Sequence, residues 1–169
     1  MINEDVEMHL RKFSELYVQL GVLEKLLRVA IPVSLTIKGR KVEVNEWISF
    51  LYLDQRSRAK LNQARIQQRK AGQSSSFSIA EFLPLSFWSW IVSRRHYTSL
   101  WIPHTHQISS DFEISQSFIY FKGIEERLHS ATVDRNFVAH YNFSRIVSIE
   151  ESLANVRWLQ EAMGLVKAE

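Results

Sequence analysis

Cysteine is absent from this 169-residue chain, which removes disulfides, thiolate nucleophiles and cysteine-based metal sites together. No run of about 18 uncharged apolar residues occurs, so no membrane-spanning helix is expected. The leading Met1-Ile2-Asn3-Glu4-Asp5 is acidic where a signal peptide is basic and then apolar. A soluble cytoplasmic protein with no membrane partner is the expectation. Charge of one sign is also lacking, because 21 Lys+Arg face 18 Asp+Glu for a net +3. That balance alone does not announce a nucleic-acid binder. Glycine (5) and proline (3) are scarce, which favours long helices over many short strands. What is abundant is core material: 46% hydrophobic and 12% aromatic residues, enough for one folded domain over 1–169.

Apolar residues fall at Val6, Leu10, Phe13, Tyr17, Leu20, Leu23, Leu27 and Ile31. Steps of three and four make one stripe along a helix of about 25–28 residues, and Pro32 is expected to stop it. Alternation from Val33 to Val44 around Gly39 reads as a small β-hairpin insertion. Asn45 suits the cap of a second helix from Trp47 towards Lys70. The basic run in its second half, Arg56 to Lys70, reads as a solvated face in preference to an RNA groove. Ala71 to Ser76 is linker-like but too short to separate two domains.

The greasy segment Ile79–Val92 predicts a buried helix kinked or started at Pro84, ended by Arg94-Arg95-His96. Thr98 to Ser110 reads as a loop. Its His104-x-His106 pair lacks a third partner and is read as exposed, so no metal or other cofactor is expected. Phe87, Trp88, Trp90 and Trp101 read as core or dimer interface in preference to a base-stacking surface. Further helices are expected from Phe112 to about Thr132 and from Ser148, where Ser148-Ile149-Glu150-Glu151 forms a capping box. The architecture expected is all-α, an up-and-down bundle of four or five helices plus the hairpin.

The candidate chemistry lies in Val133-Asp134-Arg135-Asn136-Phe137-Val138-Ala139-His140. With Asp134 as an N-cap, Arg135 and Asn136 would occupy a first helical turn. Asn136 and His140 share a face at i, i+4, while Arg135 lies about 140° away and must bend round the terminus. A guanidinium, an amide and an imidazole would then surround a helix's positive end, where phosphate binds readily. An Arg-Asn-x-x-x-His string is expected by chance only about 0.02 times in such a chain.

Arg135-Asn136-x-x-x-His140 resembles the signature of the HEPN superfamily, and Arg-Asn-Phe-Val-Ala-His is similar to the motif of its abortive-infection (Abi-like) branch. The stretch Leu85–Trp101, with its serine-phenylalanine-tryptophan helix and Leu100-Trp101 pair, resembles a second element of that branch. The glycine expected near Ser86-Phe87 is missing. The resemblance covers roughly 85–143, and neither the hairpin nor the basic helix has a counterpart.

It implies a helical bundle that forms a homodimer, with two Arg/His motifs meeting in one composite site. It further implies a metal-independent endoribonuclease acting in antiphage defence or as a toxin restrained by a cognate antitoxin of protein or RNA. His140 would then be general acid or base, Arg135 would neutralise phosphate charge, and Asn136 would orient either. Arg94, Arg95, His96 and Tyr141 are the residues expected to contact the RNA, the alternative for the first three being that they only cap a helix. Histidine titrates nearest neutrality and a fixed cation stabilises developing oxyanion charge, so the residue types suit the chemistry independently. The competing expectation is a catalytically inactive dimer that binds RNA or protein.

Overall fold

A computed structural model describes residues 4–35, 46–72, 78–102, 118–140, 146 and 148–164. Six α-helical segments follow in order: α1 (Glu4–Ser34), α2 (Gln55–Lys70), α3 (Leu85–Ile91), the single turn α4 (Arg94–His96), α5 (Phe118–Ala139) and α6 (Ile149–Ala162). Short 3₁₀ segments at Glu46–Phe50 and Ile79–Phe82 and a π-turn at Tyr97–Trp101 complete the order. Among the described residues there is no strand, so the all-α expectation holds at that level.

The first helix is longer than its proline suggests. Pro32 lies inside α1, and Leu35 still donates its N–H to the Ile31 carbonyl at 3.1 Å. A proline in the last turn forfeits one backbone bond, whereas Leu27, Ile31 and Leu35 are wholly buried and hold the turn in register. Val33 and Ser34 are therefore helical, which removes the start of the expected hairpin, and 36–45 lie outside the described residues. The buried stripe runs Phe13, Leu16, Leu20, Leu23, Leu27 and Ile31, with Leu16 in the place expected for Tyr17. Val6, Leu10 and Tyr17 face outwards.

Helix α2 starts later than expected, at Gln55, because Asp54 accepts the Ser57 N–H at 2.9 Å and forms the cap. It closes at Ala71, and Gly72 takes a positive φ of 66° that a side chain disfavours. Pro84 starts α3, as its fixed φ and missing N–H suit. That helix stops at Ile91, so Arg94–His96 form a separate turn and the following Tyr97–Trp101 is helical, not loop.

The core forms where α1 packs on α3, α5 and α6, with the 3₁₀ segment Ile79–Phe82 linking α1 to α2. Trp47, Phe87, Trp88 and Trp101 are fully buried, and Trp47 and Trp88 lie 5.6 Å apart between ring centres. The Trp101 indole N–H donates to the Ile91 carbonyl at 3.0 Å, which locks the π-turn onto the end of α3. Helices α5 and α6 run antiparallel. Tyr120 donates to the Ala162 carbonyl at 2.8 Å, and Asn155 donates to the Arg127 carbonyl at 3.0 Å. Glu15 pairs with Arg157, and Lys12 with Glu150, which joins α1 to α6. Ser148 caps α6 by accepting the Glu151 N–H at 3.1 Å.

Candidate functional site

Helix α5 does not end near Thr132. It continues to Ala139, since Leu128, Ala131 and Val138 extend one buried stripe through the motif. The expectation that Asp134 caps a new helix is thus corrected. Asp134 is half-buried and meets Ser152 of α6, and burial raises its carboxyl above the usual range. Arg135 and Asn136 occupy the last turns of α5, and His140 follows directly, its N–H donating to the Asn136 carbonyl at 3.2 Å. This is the carbonyl end of the dipole, so the helix terminus itself offers phosphate no attraction. Attraction must come from the side chains.

Those side chains divide. Asn136 and His140, four residues apart, present one exposed face. Arg135 turns to α1, where its Nε lies 3.5 Å from Glu24 Oε2. Glu24 is 7% exposed and its other oxygen holds Arg28 Nη2 at 2.5 Å, while Arg28 Nε donates to the Leu83 carbonyl at 3.3 Å. One buried carboxylate therefore stands between two guanidinium groups and ties α5 to α1 and to the entry of α3. Arg135 keeps 42% of its side chain exposed, and Glu24 is its only partner among the described residues. Within one chain, then, Arg135 and the Asn136–His140 pair do not converge.

The expected RNA contacts divide as well. Arg94 binds Glu125 of α5 through its backbone N–H at 3.0 Å and its Nε at 2.9 Å. Glu125 precedes Asn136 by eleven residues, about 16 Å along the helix. Arg95 holds Asp54 Oδ2 at 2.7 Å, and that carboxyl, hydrogen-bonded first of all by Ser57, sits below its usual range. His96 is 3% exposed, with its ring edge-on to Trp90 at 4.4 Å. Burial, and then the neighbouring Arg95, lower its pKa to about 4, so it is a neutral core residue at neutral pH and no RNA ligand. Tyr141, His104 and His106 lie outside the described residues. Among the described residues, no group of three His, Asp or Glu is placed to hold a metal ion. None of their helices is long and apolar enough to cross a membrane.

Two concavities flank α5. One, of about 690 Å³, lies between α5 and α6 and is lined by Asp134, Phe137, Ser152 and Trp158. The other, of about 440 Å³, lies between α2, α3 and α5, with Arg56, Lys60, Ser86, Trp90, Arg94 and His129 on its walls. Arg58, Arg65, Arg69 and Lys70 are exposed, as the solvated-face reading expects, while Arg56 and Lys60 line this groove. The available signal was that Gln55–Lys70 contains six cations and no acid. No protein-family model matches the chain, and no curated protein or solved structure is significantly similar to it.

Proposed function

We propose that this chain is a metal-independent endoribonuclease of the HEPN type, acting in antiphage abortive infection or as the toxin of a toxin–antitoxin pair. The observation that carries the reading is the pairing of Asn136 with His140 on one exposed face at the end of α5, with Arg135 directed elsewhere. An Arg directed away from its own histidine's face, with 42% of its side chain exposed, is compatible with a composite site between two copies. In the homodimer, His140 of one copy takes the proton of a ribose 2′-hydroxyl, whose oxygen attacks the adjacent phosphorus. The bond from phosphorus to the 5′-oxygen breaks, and His140 of the other copy returns a proton to that oxygen. A 2′,3′-cyclic phosphate and a 5′-hydroxyl result. Arg135 neutralises charge on the non-bridging oxygens, and Asn136 holds the imidazole or a phosphate oxygen.

One observation favours the second reading, a catalytically inactive dimer that binds RNA or a protein partner: Arg135 already shares the Glu24 carboxylate with Arg28, and a phosphate must compete with it. Labelled RNA incubated in excess EDTA with wild-type and His140→Ala protein separates the two. Cleavage by the wild type alone, leaving cyclic-phosphate ends, is expected of the nuclease. Intact RNA with both proteins, each dimeric, is expected of the binding module.

A further inference from the structure

Six basic residues on a sixteen-residue helix, in a chain of net charge only +3, need an explanation beyond solubility. Helix α2 buries Ser57, Leu61 and Ala64. Beside that face, Arg56, Lys60, Gln63, Gln67 and Lys70 recur at steps of four and three and form one stripe about 21 Å long. It carries three cations and two amides and no carboxylate. Its first two members enter the groove between α2, α3 and α5.

The acids in that groove are already engaged. Asp54 is taken by Ser57 and Arg95, Glu125 by Arg94, and Glu126 by Lys122 at 3.5 Å. Lys60 is different: it is half-buried, and its Nζ donates to the neutral Ser86 hydroxyl at 2.9 Å. Desolvation and the adjacent Arg56 both weaken its hold on its proton, so an anion arriving here relieves a cost the fold carries. His129 and Thr132 of α5 close the groove on its far side. Asn136 lies seven residues beyond His129 on the same face of α5, and His140 follows the end of that helix four residues further on.

We infer that the groove between α2, α3 and α5, with Arg56 and Lys60 on its α2 wall, seats the phosphate backbone of single-stranded RNA. The strand runs from the α2 stripe across His129 towards Asn136 and His140. The half-buried Trp90 on the same wall offers a surface for a base beside the phosphates. This deepens the ribonuclease reading and rests on it for the destination of the strand. The seat itself rests on the groove's own charges.

Fluorescence anisotropy of a labelled single-stranded RNA tests it, with every protein carrying His140→Ala so that the probe stays whole. Adding Arg56→Ala and Lys60→Ala should weaken binding at least tenfold. It should also make the slope of log affinity against log salt shallower by about 1.4, the value for two lost phosphate contacts on a single strand. Arg11→Ala with Lys25→Ala, on the outer face of α1, removes the same charge and should leave the slope unchanged. Lys60→Arg should retain binding and guards against loss through misfolding. Equal losses in both double variants, or no RNA binding by the parent, overturn the seat. RNA bound through the groove but never cut by wild-type protein removes the nuclease reading and keeps the seat. Cleavage that depends on His140 but ignores Arg56 and Lys60 does the reverse.

Discussion

The two stretches that carry the family resemblance end in opposite environments. Leu85–Trp101 is mainly packing, with Ser86, Trp90 and Arg94 turned to the groove beside α2: Phe87, Trp88, Ile91 and Trp101 are wholly buried, and even His96 is neutral core. Val133–His140 is surface chemistry: Val138 is buried, while Asn136 and His140 are open to solvent and Arg135 is half-open beside Glu24. The contrast separates two ways in which a pattern of residue types constrains a chain. Large aromatic side chains bring enough burial energy to choose their own neighbours. Small polar groups on the last turn of a helix go wherever that helix is held.

The contrast is broken or sharpened most strongly at His140. His140→Ala should lower RNA cleavage by about 10²–10⁴, the usual worth of a positioned proton-transfer group. Its effect on stability should stay within about 0.5 kcal/mol, as for an exposed residue. Trp88→Ala should do the opposite: in urea it should cost about 3–5 kcal/mol of folding stability. A near-neutral result would move the aromatic cluster from core to binding surface.

His96 provides a pH-dependent version of the same comparison. Its folded pKa of about 4 lies below its ordinary 6.5, so below pH 6.5 the unfolded chain binds the proton that the folded chain refuses. The contribution of neutral His96 is therefore complete above pH 6.5 and is lost as pH falls towards 4, about 3 kcal/mol in all. His96→Gln should flatten the dependence of the urea midpoint on pH across that window. An unchanged profile would mean that another group carries the acid sensitivity.

The smallest effects discriminate most finely. Arg135→Ala should cost about 1 kcal/mol of stability, because Glu24 keeps Arg28, yet should reduce cleavage by more than tenfold. A large drop in melting temperature with activity retained would make Arg135 a purely structural residue. Ser148→Ala removes only the cap of α6 and should cost about 1 kcal/mol by thermal melting, without touching cleavage.

Much of the fold was legible along the chain. The three-and-four spacing in Phe13–Ile31, the proline that opens α3 and the serine that caps α6 are local signals, and local signals act within a turn or two. Failures came where a distant partner decided. Pro32 stays within α1 because the core holds Ile31 and Leu35 on either side of it. Helix α5 runs through Asp134 because α1 and α6 receive its buried stripe, which places the motif at the carbonyl end and not the amino end. Glu24 lies 111 residues from Arg135, and no spacing along the chain links them. The residue types on offer, the helical class and the face shared by Asn136 and His140 were thus determined by sequence, since each depends on covalent order and helical pitch. Which way Arg135 turns, which cations lack an acid, and where α2 meets α5 were decided only by tertiary packing, because each depends on what the assembled helices bring within reach.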